Sequence, residues 1–312
     1  MRILFMGTPE YALFGLRALC DAGENIVGVV TQPDKPRGRG YELCPPPVKV
    51  FAAERGIPVY QPETLRNGAF DETLRELAPD LIVVVAYGKI LPLSVLELPR
   101  YGCINVHGSL LPEYRGAAPM QRAIMEGRTE TGVTTMQMAA GLDTGDMLVT
   151  VRVPIGENDN FEDIHDRLGE AGAVALTETI ARLRAGTLVA VPQDDGRATY
   201  AAKIEKADCV LDFSKSAKAL HDQIRGLSPF PLAFTKTPDG RMLKVTESRV
   251  GSEKAPTGAK IGTVVALSDR ITVACGEGTT LELLRVLPEG KGRMSAADYI
   301  RGRRISVGDI LG

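Results

Sequence analysis

The stretch LIVVVAY, residues 81–87, decides the fold. Six apolar residues lead into a tyrosine with no alternation of polar and apolar positions. A strand with one wet face alternates, whereas an unbroken apolar run of this length is the profile of a central parallel strand buried on both faces. Working outward, Ile3-Leu4-Phe5-Met6 is a second buried run, ended by Gly7. Thr8-Pro9-Glu10 then reads as helix N-cap, first-turn proline and first-turn acid, opening a helix through Leu13, Leu16, Leu19 and Cys20. Val27 to Thr31 and Ile57 to Tyr60 are further strands, and Cys103 to Val106 is another. Helical segments from Val48 to Arg55, and through Phe70, Leu74 and Leu77, lie between them. This alternation predicts the α/β class: an open, mostly parallel, Rossmann-like sheet with helices on both faces, and ligands at the carboxyl ends of its strands.

After Thr131 the pattern changes to extended segments, Val133 to Met138 and Met147 to Pro154, followed by a long helix from Phe161 to Ala185. The segment 189–206, with its prolines, glycine and mixed polar residues, reads as a linker between a first domain at 1–188 and a second at 207–312. The second holds β-prone runs at Arg241–Thr246, Gly262–Ala266, Arg270–Ala274 and Thr280–Val286, with one helix near Ser216 to Ile224. These runs, set between Gly-rich turns, predict a small all-β, OB-like barrel of about five strands.

The 312 residues, 44% hydrophobic and 24% charged, suffice for two ordinary globular domains. No apolar run approaches the roughly 20 residues that cross a bilayer, and no signal-type cleavage region follows the first apolar run, so a cytoplasmic location without membrane association is expected. The five cysteines are widely spaced and form no CxxC pair, so neither a zinc site nor a disulfide framework is expected. The charge is uneven. From Tyr200 onward there are 18 Lys and Arg against 13 Asp and Glu, a balance of +5, while the first 199 residues carry −7. Such asymmetry points towards a polyanionic partner, although a mixed solvated surface can produce it too.

Three groups of residues have chemistry to offer. Asn105 and His107 end the strand 103–106 in GCINVHGSLLPEYRGAAP, residues 102–119. Positions i and i+2 of an extended chain share a side, so an amide donor for an oxyanion and a proton-moving imidazole face one site. A turn-capping histidine fits the same residues. Glycines flank two carboxylates, Asp143 and Asp146, in GLDTGD at 141–146. A carboxylate there would hold the tautomer of an adjacent imidazole, and a simple hairpin turn is the alternative. His165 and His221 lie among charged neighbours in helical segments and read as surface residues. The loop TQPDKPRGRGYELCPPPVK, residues 31–49, sets Lys35, Arg37 and Arg39 among Pro and Gly. Basic side chains on so long a loop suit a phosphate backbone, or simply solvent. MGTPEYALFG lacks the G-x-G-x-x-G fingerprint and no Walker sequence occurs, which disfavours nicotinamide and ATP enzymes. No H-x-x-x-H exists, so no metal is expected.

Taken together, FMGTPEYA, INVHGSLLPEYRGAAPMQRAI, TTMQMAAGLDTGDML, TYAAKIEKAD and IRGLSPFPLAF resemble the methionyl-tRNA formyltransferase family, within the wider folate-dependent formyltransferases. The resemblance spans nearly the whole chain. It implies that Asn105, His107 and Asp143 are catalytic: Asn105 and a protonated His107 stabilise an oxyanion, and Asp143 orients His107 and passes protons. It implies a folate site lined by Ser109, Leu110, Leu111 and Pro112, with Ala86, Tyr87 and the backbone around Gly141. It also implies 10-formyltetrahydrofolate as formyl-donating co-substrate, initiator methionyl-tRNA as acceptor, and contacts to that tRNA from the 31–49 loop (Lys35, Arg37, Arg39) and from the second domain. No metal is implied, and nothing suggests more than a monomer. Tyr41-Glu42 and Phe230 depart from the family, which more often carries basic residues and tryptophan there. The competing readings are transfer to a small amine, such as an amino sugar nucleotide or a glycinamide ribonucleotide, and a non-catalytic RNA-binding relative.

Overall fold

Leu81–Val85 forms the strand its sequence predicts, and all five of its residues are buried. The chain is described here from a computed structural model covering residues 1–37 and 42–312. In chain order, the first elements are β1 (Arg2–Gly7), α1 (Glu10–Asp21), β2 (Asn25–Val30), β3 (Lys35–Arg37), β4 (Glu42–Cys44), α2 (Pro47–Glu54) and β5 (Val59–Tyr60). Next come α3 (Asp71–Leu77), β6 (Leu81–Val85), α4 (Leu93–Leu96), β7 (Cys103–His107), β8 (Arg115–Gly116), α5 (Pro119–Met125), β9 (Glu130–Gln137), β10 (Met147–Pro154), α6 (Phe161–Ala185) and β11 (Tyr200–Ala201). The rest are α7 (Ala217–Gly226), β12 (Ala233–Lys236), β13 (Met242–Val250), β14 (Val264–Leu267), β15 (Ile271–Ala274), β16 (Thr280–Pro288), β17 (Met294–Ser295) and α8 (Ala296–Arg301).

The chain divides into two compact units that interleave along the sequence. One holds 1–116, 131–153 and 165–200; the other holds 117–130, 154–164 and 201–312. The expectation from sequence is a first domain at 1–188, a linker at 189–206 and a second domain at 207–312; by compactness, residues 189–200 of that linker belong to the first unit and 201–206 to the second.

The first unit is built on a seven-stranded sheet in the order β10-β9-β7-β6-β1-β2-β5. β1 pairs in parallel with β2 and β6, β6 with β7, and β2 with β5; β7 and β9 run antiparallel. Strand alternation sends Leu4, Met6, Ile82, Val84 and Cys103 to one face, where Leu74, Val95 and Leu96 of α3 and α4 cover them. The other face receives α1 and α6. A Cβ at Gly15 of α1 would lie 3.3 Å from Leu176 and 3.4 Å from Val85, and one at Gly172 of α6 would lie 3.2 Å from Val106. Burying each Val, Leu or Ile of such a strand contributes roughly 1.5–3 kcal/mol, which explains why no polar residue interrupts β6.

Two local expectations are corrected here. Thr8 does not cap α1, since Pro9 occupies the cap position and no side chain accepts there. The Thr8 hydroxyl instead donates to Tyr87 O at 3.1 Å and accepts from Gln32 N at 3.3 Å. It thus ties together the carboxyl ends of β1, β2 and β6, whose loops leave the sheet side by side. The 31–49 loop also contains regular structure: β3 and β4 form a two-stranded antiparallel ribbon with Lys35 opposite Cys44. Asp34 anchors its root through Lys49 Nζ at 2.8 Å and Gln61 Nε2 at 2.7 Å, and these hydrogen bonds hold the Asp34 carboxyl below its ordinary pKa.

The second unit holds a six-stranded sheet along the path β12-β13-β16-β15-β14, with β17 on β16. Both ends of that path meet the C-terminal tail. Val264 N donates to Asp309 O at 2.8 Å and Leu311 N to Gly262 O at 2.9 Å, while Gly312 N reaches Lys236 O at 3.2 Å. The tail thereby bridges β14 to β12 and closes the predicted barrel. Leu220, Ile224, Val245, Val273, Leu281 and Leu283 fill its core.

His221, expected at the surface, is buried on α7. Its Nδ1 lies 3.1 Å from Ser248 Oγ and its Nε2 3.2 Å from Glu157 O. Burial lowers its pKa from 6.5, opposed by the Glu157 carbonyl bond and assisted by Arg225. The neutral ring is therefore the folded form. Its contribution to stability is complete above pH 6.5 and is lost as the pH falls through the lower folded-state value. Thermal unfolding between about pH 7.5 and about pH 5 should show this loss, and His221→Gln should flatten the dependence. An equal slope in the variant would assign the acid sensitivity to other groups.

Candidate active site

The first unit brings Asn105, His107 and Asp143 to one place at the carboxyl end of the sheet. Within β7, Val106 faces α6, so Asn105 and His107 lie on the opposite side, as the i, i+2 rule requires. His107 is buried, with 6% of its surface exposed, and its Nε2 sits 2.9 Å from Tyr114 O. A carbonyl can only accept, so Nε2 carries a proton and donates. Nδ1 is then the ring atom left for chemistry, and it faces Asp143 Oδ2 at 3.7 Å. That separation exceeds a hydrogen bond, so Nδ1 is not committed to Asp143. Among the described residues, no protein group hydrogen-bonds to the Asn105 side chain, so its NH₂ is available as a donor.

Asp143 is held by its backbone as much as by its carboxylate. Its φ of 51° is left-handed, a conformation that Asp tolerates better than most residues. Gly116 N donates to Oδ2 at 2.8 Å. Close packing also fixes the turn that follows: a Cβ on Gly145 would fall 1.6 Å from Gln137 O, so only glycine fits. Gln193 Nε2 donates both to Asp143 O at 2.8 Å and to Gly145 O at 2.7 Å. The Gln193 amide is itself oriented by Arg115, whose Nε and Nη2 reach Oε1 at 3.0 and 2.9 Å. Arg115 is 2% exposed and also pairs with Asp195 at 2.7 Å. None of Tyr114, Arg115 and Gln193 was foreseen. A carbonyl and a residue far downstream leave no periodic trace, although an arginine in an apolar loop beside a histidine is a usable signal.

The other expected site residues divide into two groups. Ala86 is exposed at φ 47°, and the stretch 139–142 is exposed and lies in neither helix nor strand. Exposed backbone donors and acceptors suit the amide-like edges of a flat heterocycle. The exposed backbone around Gly141 is of the kind that such an edge can meet. Leu110 is half-buried, while Leu111 and Pro112 are buried. Ser109 is fully buried, its hydroxyl donating to Glu113 O at 2.6 Å and its carbonyl accepting from Thr134 Oγ1 at 2.8 Å. Ser109 therefore shapes the loop from within. The Tyr87 ring is buried in the core beside Leu65 and Leu91, and burial pushes its phenol up to about 12. What Tyr87 presents is its carbonyl, which accepts from Thr8 and from Gln32 Nε2 at 3.1 Å. Lys35 is exposed on the β3–β4 ribbon; of Arg37 only the backbone strand is described, and Arg39 lies outside the described residues.

Residues 1–180 match the model described as formyl transferase, and residues 203–304 match that of the formyl transferase C-terminal domain. The chain belongs to the formyl transferase family. It is 50% identical to the methionyl-tRNA formyltransferase of Geotalea uraniireducens, over 100% of this chain and 98% of that one. It is 48% identical to the methionyl-tRNA formyltransferase of Bacillus subtilis, over the same shares. Among solved structures, the N-formyltransferase of Helicobacter canadensis with folinic acid and dTDP-3-aminofucose superposes with a TM-score of 0.69 at 19% identity, over 90% of this chain and 98% of that one. That likeness concerns the fold. Among the described residues, no helix is long and apolar enough to cross a membrane.

Proposed function

We infer that this formyl transferase moves the formyl group of 10-formyltetrahydrofolate onto the α-amino group of methionine carried by initiator tRNA. The observation that carries the chemistry is the free Asn105 amide on the same strand face as the His107 Nδ1 and Asp143 Oδ2 pair. The acceptor is supported by full-length identity of about one half to methionyl-tRNA formyltransferases, extending through the second unit.

When bound, the folate supplies a formyl carbon whose nitrogen leaves as an amine. The protein has three tasks. It must hold the formyl oxygen as charge gathers there, remove one proton from the attacking amine, and return one to the departing nitrogen. Asn105 Nδ2 donates to the oxygen. His107 Nδ1, with its ring fixed by the Nε2 bond to Tyr114 O, exchanges the proton, and Asp143 Oδ2 holds the ring's charge while it does so. One proton leaves nitrogen and one arrives at nitrogen, so no metal or covalent intermediate is required. The proposal reads the enzyme as a monomer.

Charged initiator tRNA, uncharged tRNA and small amines supplied with 10-formyltetrahydrofolate test the acceptor through release of tetrahydrofolate. Turnover with charged tRNA alone is expected; turnover only with a small amine would overturn the tRNA assignment. In the same assay, Lys35→Ala combined with Arg37→Ala should weaken use of tRNA. It should also reduce the slope of log affinity against log salt by about 1 for each phosphate that the ribbon ceases to neutralise. An unchanged slope would remove the ribbon from the tRNA interface.

A further inference from the structure

We propose that residues 193–199 form a strap that positions both halves of the proton-transfer pair, with Gln193 acting as the positioning residue for Asp143. The proposal deepens the formyl-transfer reading and rests on it only for its kinetic readout. At one end of the strap, Gln193 Nε2 binds the carbonyls on either side of Thr144, those of Asp143 and Gly145. At the other end, the Thr199 hydroxyl accepts from Tyr114 N at 2.8 Å and its carbonyl accepts from Arg115 N at 2.8 Å. Tyr114 O in turn holds His107 Nε2, and Gly116 N holds Asp143 Oδ2. Arg115 closes the circuit through Gln193 Oε1 and Asp195 Oδ1. The segment 193–199 is thus bonded to the peptide that fixes the imidazole and to the turn that carries the carboxylate.

The turn needs this support. The stretch 139–142 is exposed and lies in neither helix nor strand, and Asp143 sits at a left-handed φ. A loop of that kind does not define a carboxylate position by itself. The Gln193 amide supplies two bonds at the position where the side chain must be aimed. Its orientation is unambiguous, because the guanidinium can only donate and the two carbonyls can only accept. Arg115, almost fully buried, requires those acceptors in return.

Gln193→Met keeps length and volume while removing the donor and the acceptor. Gln193→Glu keeps the acceptor for Arg115 but sets an oxygen against two carbonyls. Both variants are expected to lose kcat by about 10- to 100-fold, as a misplacement near 1 Å does, with KM for the folate and for tRNA within about threefold of wild type. The pH profile of kcat should change shape, and the Gly116 amide, bonded to Asp143 Oδ2, should exchange with solvent at least about tenfold faster. A space-filling role predicts instead a near-normal kcat in both variants. Activity within about threefold of wild type, or unchanged exchange at Gly116, would overturn the strap. If Gln193→Met does not fold, Gln193→Glu carries the same test. Hydrogen exchange needs no substrate, so a wild-type protein inactive on methionyl-tRNA would sink the function while leaving the strap open to its own measurement.

Discussion

His107→Ala is expected to lower the rate of formyl transfer by about 10²- to 10⁴-fold, the range of general acid–base catalysis, while folate binding stays within about threefold. The ring has one nitrogen committed to Tyr114 O and one facing Asp143. On the proposed mechanism, removing it deletes the atom that carries the proton between attacking and leaving nitrogens, and it touches none of the exposed backbone at 139–142. The substitution also removes the buried hydrogen bond from Nε2 to Tyr114 O, whose net contribution to stability is about 1 kcal/mol. A thermal melt beside the kinetics separates that cost from the chemistry. Retained activity in a folded variant would show that another group moves the proton.

Asp143→Asn is the second large effect, also about 10²- to 10⁴-fold in kcat. The amide oxygen of the variant can still accept from Gly116 N, so the turn and its Gln193 bonds survive. What disappears is the negative charge beside Nδ1 and the capacity to accept a proton. Folate affinity and melting temperature should therefore change little. A variant that loses folate binding in parallel with kcat would place Asp143 in binding rather than in proton transfer.

Much of this was legible in the chain because it is written in short-range pattern. The unbroken run at 81–85 predicts a strand buried on both faces, and the order of strands and helices around it predicts the parallel sheet. Asn105 and His107 follow from alternation along β7. Long-range polar contacts carry no such pattern. The composition of 189–206 is silent on Gln193 reaching the carbonyls of a turn fifty residues earlier. His221 looked exposed because its neighbours Lys218, Asp222 and Arg225 are charged. Instead Asp222 and Arg225 are buried as a pair at 2.7 Å, which single charges could not be, and the exposed Lys218 reaches Asp222 from the solvent side at 2.6 Å. Thr8 misled for a related reason. Its sequence context is that of a cap, but the carbonyl of Tyr87 is brought to it by β6, from 79 positions away.

The central claim is that His107 and Asp143 act as one proton-transfer unit, and a double-mutant cycle on kcat tests it most directly. With His107→Ala and Asp143→Asn measured singly and together, the account predicts that the double variant is no slower than the slower single one, to within about threefold. Independent losses that multiply would contradict it.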